Sequence, residues 1–167
     1  NSAPDIGADQ YPPPTQDLAT TAILPHMKFK YGSQSIKAIV QNLGTDTIDN
    51  VTIKWSVNNV AQTDFVYSSS IASTEKDTIS IGSFLFNHST PYVIKVYVHM
   101  PNGVMNLYTI NDTLTTDTLY AAISDAWTVG NTGNFSTFAS ALNAVKLGGV
   151  VDSVVYQIES GIYHQQV

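Results

Sequence analysis

Between Ser35 and Val57 two β-branched runs, S-I-K-A-I-V-Q and V-T-I-K-W-S-V, flank the polar stretch N-L-G-T-D-T-I-D-N. Ile36, Ala38 and Val40 fall on one face of the first run, and Ile53, Trp55 and Val57 on one face of the second. A period of two is what a half-buried strand imposes, because successive side chains leave a pleated backbone on opposite sides. An indole on an alternating strand suits the space between two packed sheets, so Trp55 is expected in the structural core.

The remaining segments extend this pattern. Asp17 to Leu24 reads as a first strand ended by Pro25, and Asn58-Asn59 tolerates the positive φ of a tight hairpin. Thr63 to Tyr67 reads as a return strand. Asp77 to Phe86 reads as another with Ile79 and Ile81 inward, and Tyr92 to Met100 alternates cleanly. Pro101 to Gly103 is a turn signal across which Val104 to Ile110 is expected to pair back. About seven strands at a spacing of ~8 to 12 residues predict a mainly β fold, an immunoglobulin-like or fibronectin type III-like antiparallel sandwich.

Composition narrows the partners. Only seven basic residues, scattered along a chain of net charge −6, argue against nucleic acid, where clustered cations must neutralise phosphates. No apolar run approaches the ~20 residues of a membrane-spanning helix, so membrane insertion is not expected. Cysteine is absent, which removes disulfides and thiolate metal sites. Charged residues make up 12% of the chain and Ser and Thr about a fifth, a weakly charged polar surface of the kind carried by extracellular β modules. The chain opens on Asn1 with no basic-then-apolar leader and reads as an internal or processed fragment.

The texture changes from Asp125. Phe135 to Leu147 places Phe138, Ala141, Leu142 and Val145 at helical spacing, with Gly148-Gly149 as a stop. The run V-D-S-V-V-Y-Q-I then reads as a strand, followed by the turn E-S-G. One helix with one or two strands cannot bury both faces, so this segment is expected to pack on the sandwich or on a neighbouring chain.

Two end motifs carry a resemblance. W-T-V-G-N-T-G-N-F-S-T-F-A-S-A-L-N-A-V at Trp127 to Val145, with V-V-Y-Q-I-E-S-G-I-Y-H-Q-Q-V at Val154 to Val167, resembles the opening of right-handed parallel β-helix domains in secreted Bacteroidetes-type surface proteins. In that family an amphipathic helix caps the β-helix. A-P-D-I-G-A-D-Q-Y near the start resembles the closing segment of such a β-helix, with Gln10 where an acidic residue is usual. The middle, with N-L-G-T-D-T-I-D-N-V-T-I-K-W-S-V-N-N and Y-T-I-N-D-T-L, is similar to CARDB-like adhesion sandwiches. The resemblance implies three parts: 1–14 as the end of a β-helix segment with a Pro-rich linker, 15–122 as the sandwich, and 123–167 as the helix and first strands of another β-helix segment.

Catalytic chemistry finds little support. His26, His88, His99 and His164 have no paired spacing, and no nucleophile elbow, phosphate loop or metal-ligand cluster occurs, so no catalytic, cofactor or metal residues are assigned. Asp5 and Asp9 have the oxygen chemistry calcium prefers, although such residues more often satisfy turn amides. Trp127, Tyr108 and Tyr120 could stack on sugar rings, with packing at the C-terminal junction the simpler account. Asn50, Asn87, Asn111 and Asn134 match N-x-Ser/Thr, a frequent chance pattern.

One triplet is over-represented. Asp, then Ser or Thr, then an aliphatic residue occurs at Asp46-Thr47-Ile48, Asp77-Thr78-Ile79, Asp112-Thr113-Leu114, Asp117-Thr118-Leu119 and Asp152-Ser153-Val154. Chance predicts roughly one from average composition. The pattern resembles the O-glycosylation signal of Bacteroidetes-type exported proteins, which would place glycans on Thr47, Thr78, Thr113, Thr118 and Ser153. The other reading is that Asp-Thr opens a turn and the aliphatic residue starts a strand.

The expected function is a non-catalytic structural or adhesive module of an extracellular or bacterial cell-surface protein, a candidate repeat unit of a fibre. Its expected partner is a neighbouring repeat or subunit of the same protein, with surface glycans a further candidate. The alternative is a carbohydrate-binding accessory domain of a secreted polysaccharide-degrading enzyme.

Overall fold

A computed structural model describes residues 14–106 and 108–164. The first half of the chain runs through β1 (Leu18–Leu24), β2 (Gly32–Asn42), β3 (Val51–Val57), β4 (Val60–Ala61), β5 (Phe65–Tyr67) and β6 (Lys76–Phe86). It continues through β7 (Pro91–Tyr92), β8 (Ile94–His99), β9 (Thr113–Thr115), β10 (Leu119–Tyr120) and β11 (Ile123–Val129), then α1 (Phe138–Gly148) and β12 (Val150–Ile158).

Two antiparallel sheets face each other. One is ordered β1-β2-β6; the other is ordered β4-β3-β8-β9, with β5 also paired to β3. The alternation of β2 and β3 drives this packing, since Ile36, Ala38, Val40 and Ile53 are fully buried and Trp55 and Val57 nearly so. Each large aliphatic side chain withdrawn from water in this way contributes about 1.5–3 kcal/mol. β2 and β3 lie in opposite sheets, so the polar stretch between them is a crossover and not a hairpin turn.

Asn42 holds that crossover. Its side chain is fully buried, donating from Nδ2 to the carbonyls of Asp46 at 2.8 Å and Ile71 at 2.9 Å, and accepting from the Gly44 amide at 2.9 Å. A buried amide with these bonds made fixes a path that unpaired groups would otherwise open. The Asn58-Asn59 hairpin forms as expected, with both residues in the left-handed region (φ 48° and 65°) and Val57 opposite Val60.

Val104 to Ile110 does not pair back as a strand. The partner of β8 is β9, with Tyr97 opposite Thr113 and Lys95 opposite Thr115. Met100, Asn102 and Gly103 all take left-handed φ and lead the chain off the sheet. The side chain of Asn106 is then drawn inward while Met105 and Ile110 stay exposed.

The last part is a parallel βαβ unit. β11 and β12 pair in parallel, from Ile123 opposite Val150 to Val129 opposite Ile158, and α1 supplies the crossover such pairing requires. The helix starts at Phe138, later than its apolar spacing suggests, because Thr137 caps it: Ser140 N donates to Thr137 Oγ1 at 3.0 Å and Thr137 N to Ser140 Oγ at 3.3 Å. Its packed face is Phe138, Ala141, Ala144 and Val145. Leu142, expected inward, is half exposed, because the close approach of α1 to the strands is made by the two small alanines. Tyr31 packs against both the sandwich core and the βαβ core, so the C-terminal unit is seated on the sandwich.

Candidate functional site

Two of the histidines pack against aromatic rings, and His26 and His164 are exposed. His88 lies at the junction of the two cores, with ring centroids 4.9 Å from both Trp127 and Phe135. Burial lowers its pKa, because an imidazolium there would lose hydration. His99 lies against Tyr97 at 5.7 Å. Among the described residues no three of His, Cys, Asp and Glu are grouped to hold a metal, and no helix is long and apolar enough to cross a membrane. Asp5 and Asp9 lie outside the described residues.

A polar cluster closes the 100–112 loop onto β1. Asn106 donates through Nδ2 to Asp112 Oδ1 at 2.5 Å and to Asp17 Oδ1 at 3.3 Å, and Asn111 Nδ2 donates to the same Asp17 oxygen at 2.9 Å. Asp17, Asn106 and Asp112 are all buried. Burial, followed by the nearby charge of Asp17, raises the Asp112 pKa against the opposing Asn106 hydrogen bond. Two carboxylates sharing amide donors in this way anchor the loop to the start of β1.

One edge open to a partner lies on the βαβ unit. β12 is hydrogen-bonded to β11 on one side and, among the described residues, to no other strand. Val155 and Ile158 are 57% and 56% exposed and Ile162, just beyond the strand, 85%. The inner side is by contrast fixed: the Tyr156 hydroxyl donates to the Ala141 carbonyl at 3.1 Å, and Trp127 Nε1 to the Ser124 carbonyl at 2.6 Å. Glu159 ties the end of β12 to the loop after β11 by accepting from Thr132 Oγ1 at 2.6 Å and Thr132 N at 3.1 Å, bonds that hold its carboxyl below the usual range. A rigid strand with an unpaired edge is the element to which a further strand can add.

The expected residues are placed as follows. Trp55 is in the core, its Nε1 donating to the Thr63 carbonyl at 3.0 Å. Trp127 is buried too, so neither tryptophan offers a platform for a sugar; Tyr108 is 43% exposed. Thr47, Thr78, Thr118 and Ser153 are exposed and Thr113 half-buried. The aliphatic residues after them turn inward, with Ile48, Ile79 and Leu119 buried. That geometry serves a strand start and also leaves the hydroxyls accessible. The five residues are spread over separate elements and form no common site. The N-terminal A-P-D-I-G-A-D-Q-Y, which resembles a β-helix end, lies outside the described residues.

No family model matches the sequence, and comparison with curated proteins gives no match. Among solved structures, the chain is similar to a domain from Methanosarcina acetivorans described as part of a cell surface protein, solved by NMR in solution. The two are 18% identical with a TM-score of 0.54, over 64% of this chain and 91% of that one. The CARDB domain of a Pyrococcus furiosus protein, crystallised with di-metal ions, aligns at 18% identity and a TM-score of 0.47 over 65% of this chain and 89% of its own. Its solution structure aligns at 17% and 0.46, over 66% and 94%. The sandwich is thus a fold shared with the Methanosarcina domain.

Proposed function

We propose that this chain is a non-catalytic structural module of an extracellular or cell-surface protein, in which the sandwich spaces or joins β-helix segments. The observation that carries the reading is the parallel pair β11–β12, whose second strand, among the described residues, leaves one edge unpaired and Val155 and Ile158 in water. A parallel coil is stable only when its neighbours are stacked on it, so such an edge suits the next strand of a solenoid. The surface setting is supported by the description of the Methanosarcina domain that shares the fold.

If the two ends of neighbouring copies complement each other, head-to-tail contact extends without closing and produces a fibre. Sedimentation velocity over a wide concentration range tests this. Reversible, concentration-dependent growth that Val155→Asp abolishes supports the fibre, and a monodisperse monomer at high concentration overturns it. Antibody to this chain should label intact cells that produce it; labelling only after permeabilisation would remove the surface reading.

The exposed Thr47, Thr78, Thr118 and Ser153, with Thr113, are the positions at which O-glycans attach on this reading. Intact-mass measurement of native material showing the bare polypeptide mass would exclude them.

A further inference from the structure

We infer that the outward face of the five-stranded sheet binds a carboxylated polysaccharide, a chain of uronic acid units, in a groove built around Tyr97. Across this face the register sets Lys54, Tyr97 and Thr113 in one row and Ser56, Lys95 and Thr115 in the next. Together with their strands these residues line a groove of about 440 Å³, whose walls include Lys54, Ser56, Lys95, Tyr97 and Thr113. Lys54 and Lys95 are diagonal neighbours on adjacent strands, a placement that brings long side chains within reach of one ligand.

The charge of this face runs against that of the molecule. All seven basic residues are lysines in a chain of net charge −6, and two of them line this one groove. Among the described residues the ion pair is Lys30 with Asp125, at 2.8 Å, so neither groove lysine is held by a carboxylate. Asp64, one residue before β5 and nearest to Lys54 along that ladder, makes no ion pair with it. Two ammonium groups facing solvent beside a half-buried phenol match a sugar unit that has an apolar ring face and a carboxylate. Ser56 and Thr113 add hydroxyls able to donate to or accept from sugar hydroxyls.

The same physics sets the strength. Solvent-exposed ion pairs are weak and screened by salt, so a short oligomer binds with a dissociation constant on the order of 1 mM, and a polymer more tightly by presenting many units to many copies. The groove rests on residues of the sandwich and does not require that anything stack on β12.

The test is a titration of the ¹⁵N-labelled chain with hexagalacturonate at low salt, with uncharged cellohexaose and a sulfated oligosaccharide as separate arms. The expected result is amide shifts centred on Lys54, Lys95 and Tyr97 with the uronate alone, fading as salt approaches 1 M. Lys54→Gln with Lys95→Gln should weaken binding about tenfold while the thermal midpoint stays near that of the parent. Lys95→Gln alone should weaken it less, and Tyr97→Ala should weaken it with the salt dependence retained. Equal binding of cellohexaose, binding of the sulfated arm without the uronate, shifts centred elsewhere, or no shift at millimolar uronate would each overturn the inference. So would salt-sensitive self-association that the two glutamines abolish, since the occupant would then be a second copy.

Discussion

Gly82 on β6 lies against the indole of Trp55 on the facing sheet, and a methyl group built on it would stand 2.6 Å from Cζ2 of that ring. The indole is fixed on its other side by the hydrogen bond to Thr63, so it cannot swing away. Gly82 sits where the β2–β6 ladder shifts register between Ile36 and Lys37, so the irregularity gives the ring its room. Gly82→Ala is expected to destabilise the fold by about 1–3 kcal/mol through overpacking. Urea unfolding checks this; a midpoint equal to that of the parent would show that the ring has space to move.

Asp112 gives stability a dependence on acid. Its folded pKa is raised above the ordinary 3.8, first by burial and then by Asp17. The folded state therefore holds its proton more tightly, and the contribution is fully present below 3.8 and lost as pH rises through the raised value. Asp112→Asn keeps an acceptor for Asn106 and removes the titration, so its stability should be flatter over that window. Unfolding curves for the two proteins from pH 3 to 7 should diverge in slope there.

His88 has the opposite sign. Burial between Trp127 and Phe135 lowers its pKa from 6.5. Above 6.5 the ring is neutral in both states and the junction is undisturbed. As pH falls below 6.5 and through the folded value, the unfolded chain gains the proton first and stability is lost. His88→Phe should remove this loss as pH falls below 6.5. An NMR titration in which the His88 ring protonates at or above 6.5 would refute it.

The cap of α1 offers a local test. Thr137→Ala removes the acceptor for the Ser140 amide and should cost about 1 kcal/mol, concentrated in the βαβ unit. Hydrogen exchange should show faster opening of α1 and β12 with the sandwich amides unchanged. Uniform acceleration would mean that the two cores unfold together.

The sandwich was legible in the sequence because alternation is a local signal. Ile36, Ala38, Val40, Ile53, Trp55 and Val57 each show their facing by position alone. The placement of β2 and β3 in opposite sheets was not, since the crossover depends on Asn42 reaching carbonyls of Asp46 and Ile71, the latter well along the chain. Val104 to Ile110 follows a turn signal, yet a buried amide between Asp17 and Asp112 outweighs that signal. β11 escaped notice because Ser124 and Asp125 interrupt its apolar residues and its partner lies beyond a helix. The groove was hidden for a similar reason: Lys54 and Lys95 become neighbours only through the β3–β8 register.

Ala121, Ala122 and Ile123 are wholly enclosed. Ala122 exchanges backbone hydrogen bonds with Phe29 and Tyr31, Ala121 bridges to His88, and Ile123 donates to Gly149. The passage from sandwich to βαβ unit is therefore clamped on three sides, with no residue free to act as a swivel. Tension applied at β12 must reach the sandwich as shear along paired strands, and in the proposed assembly the angle between modules would be set by the backbone bonds of these three residues.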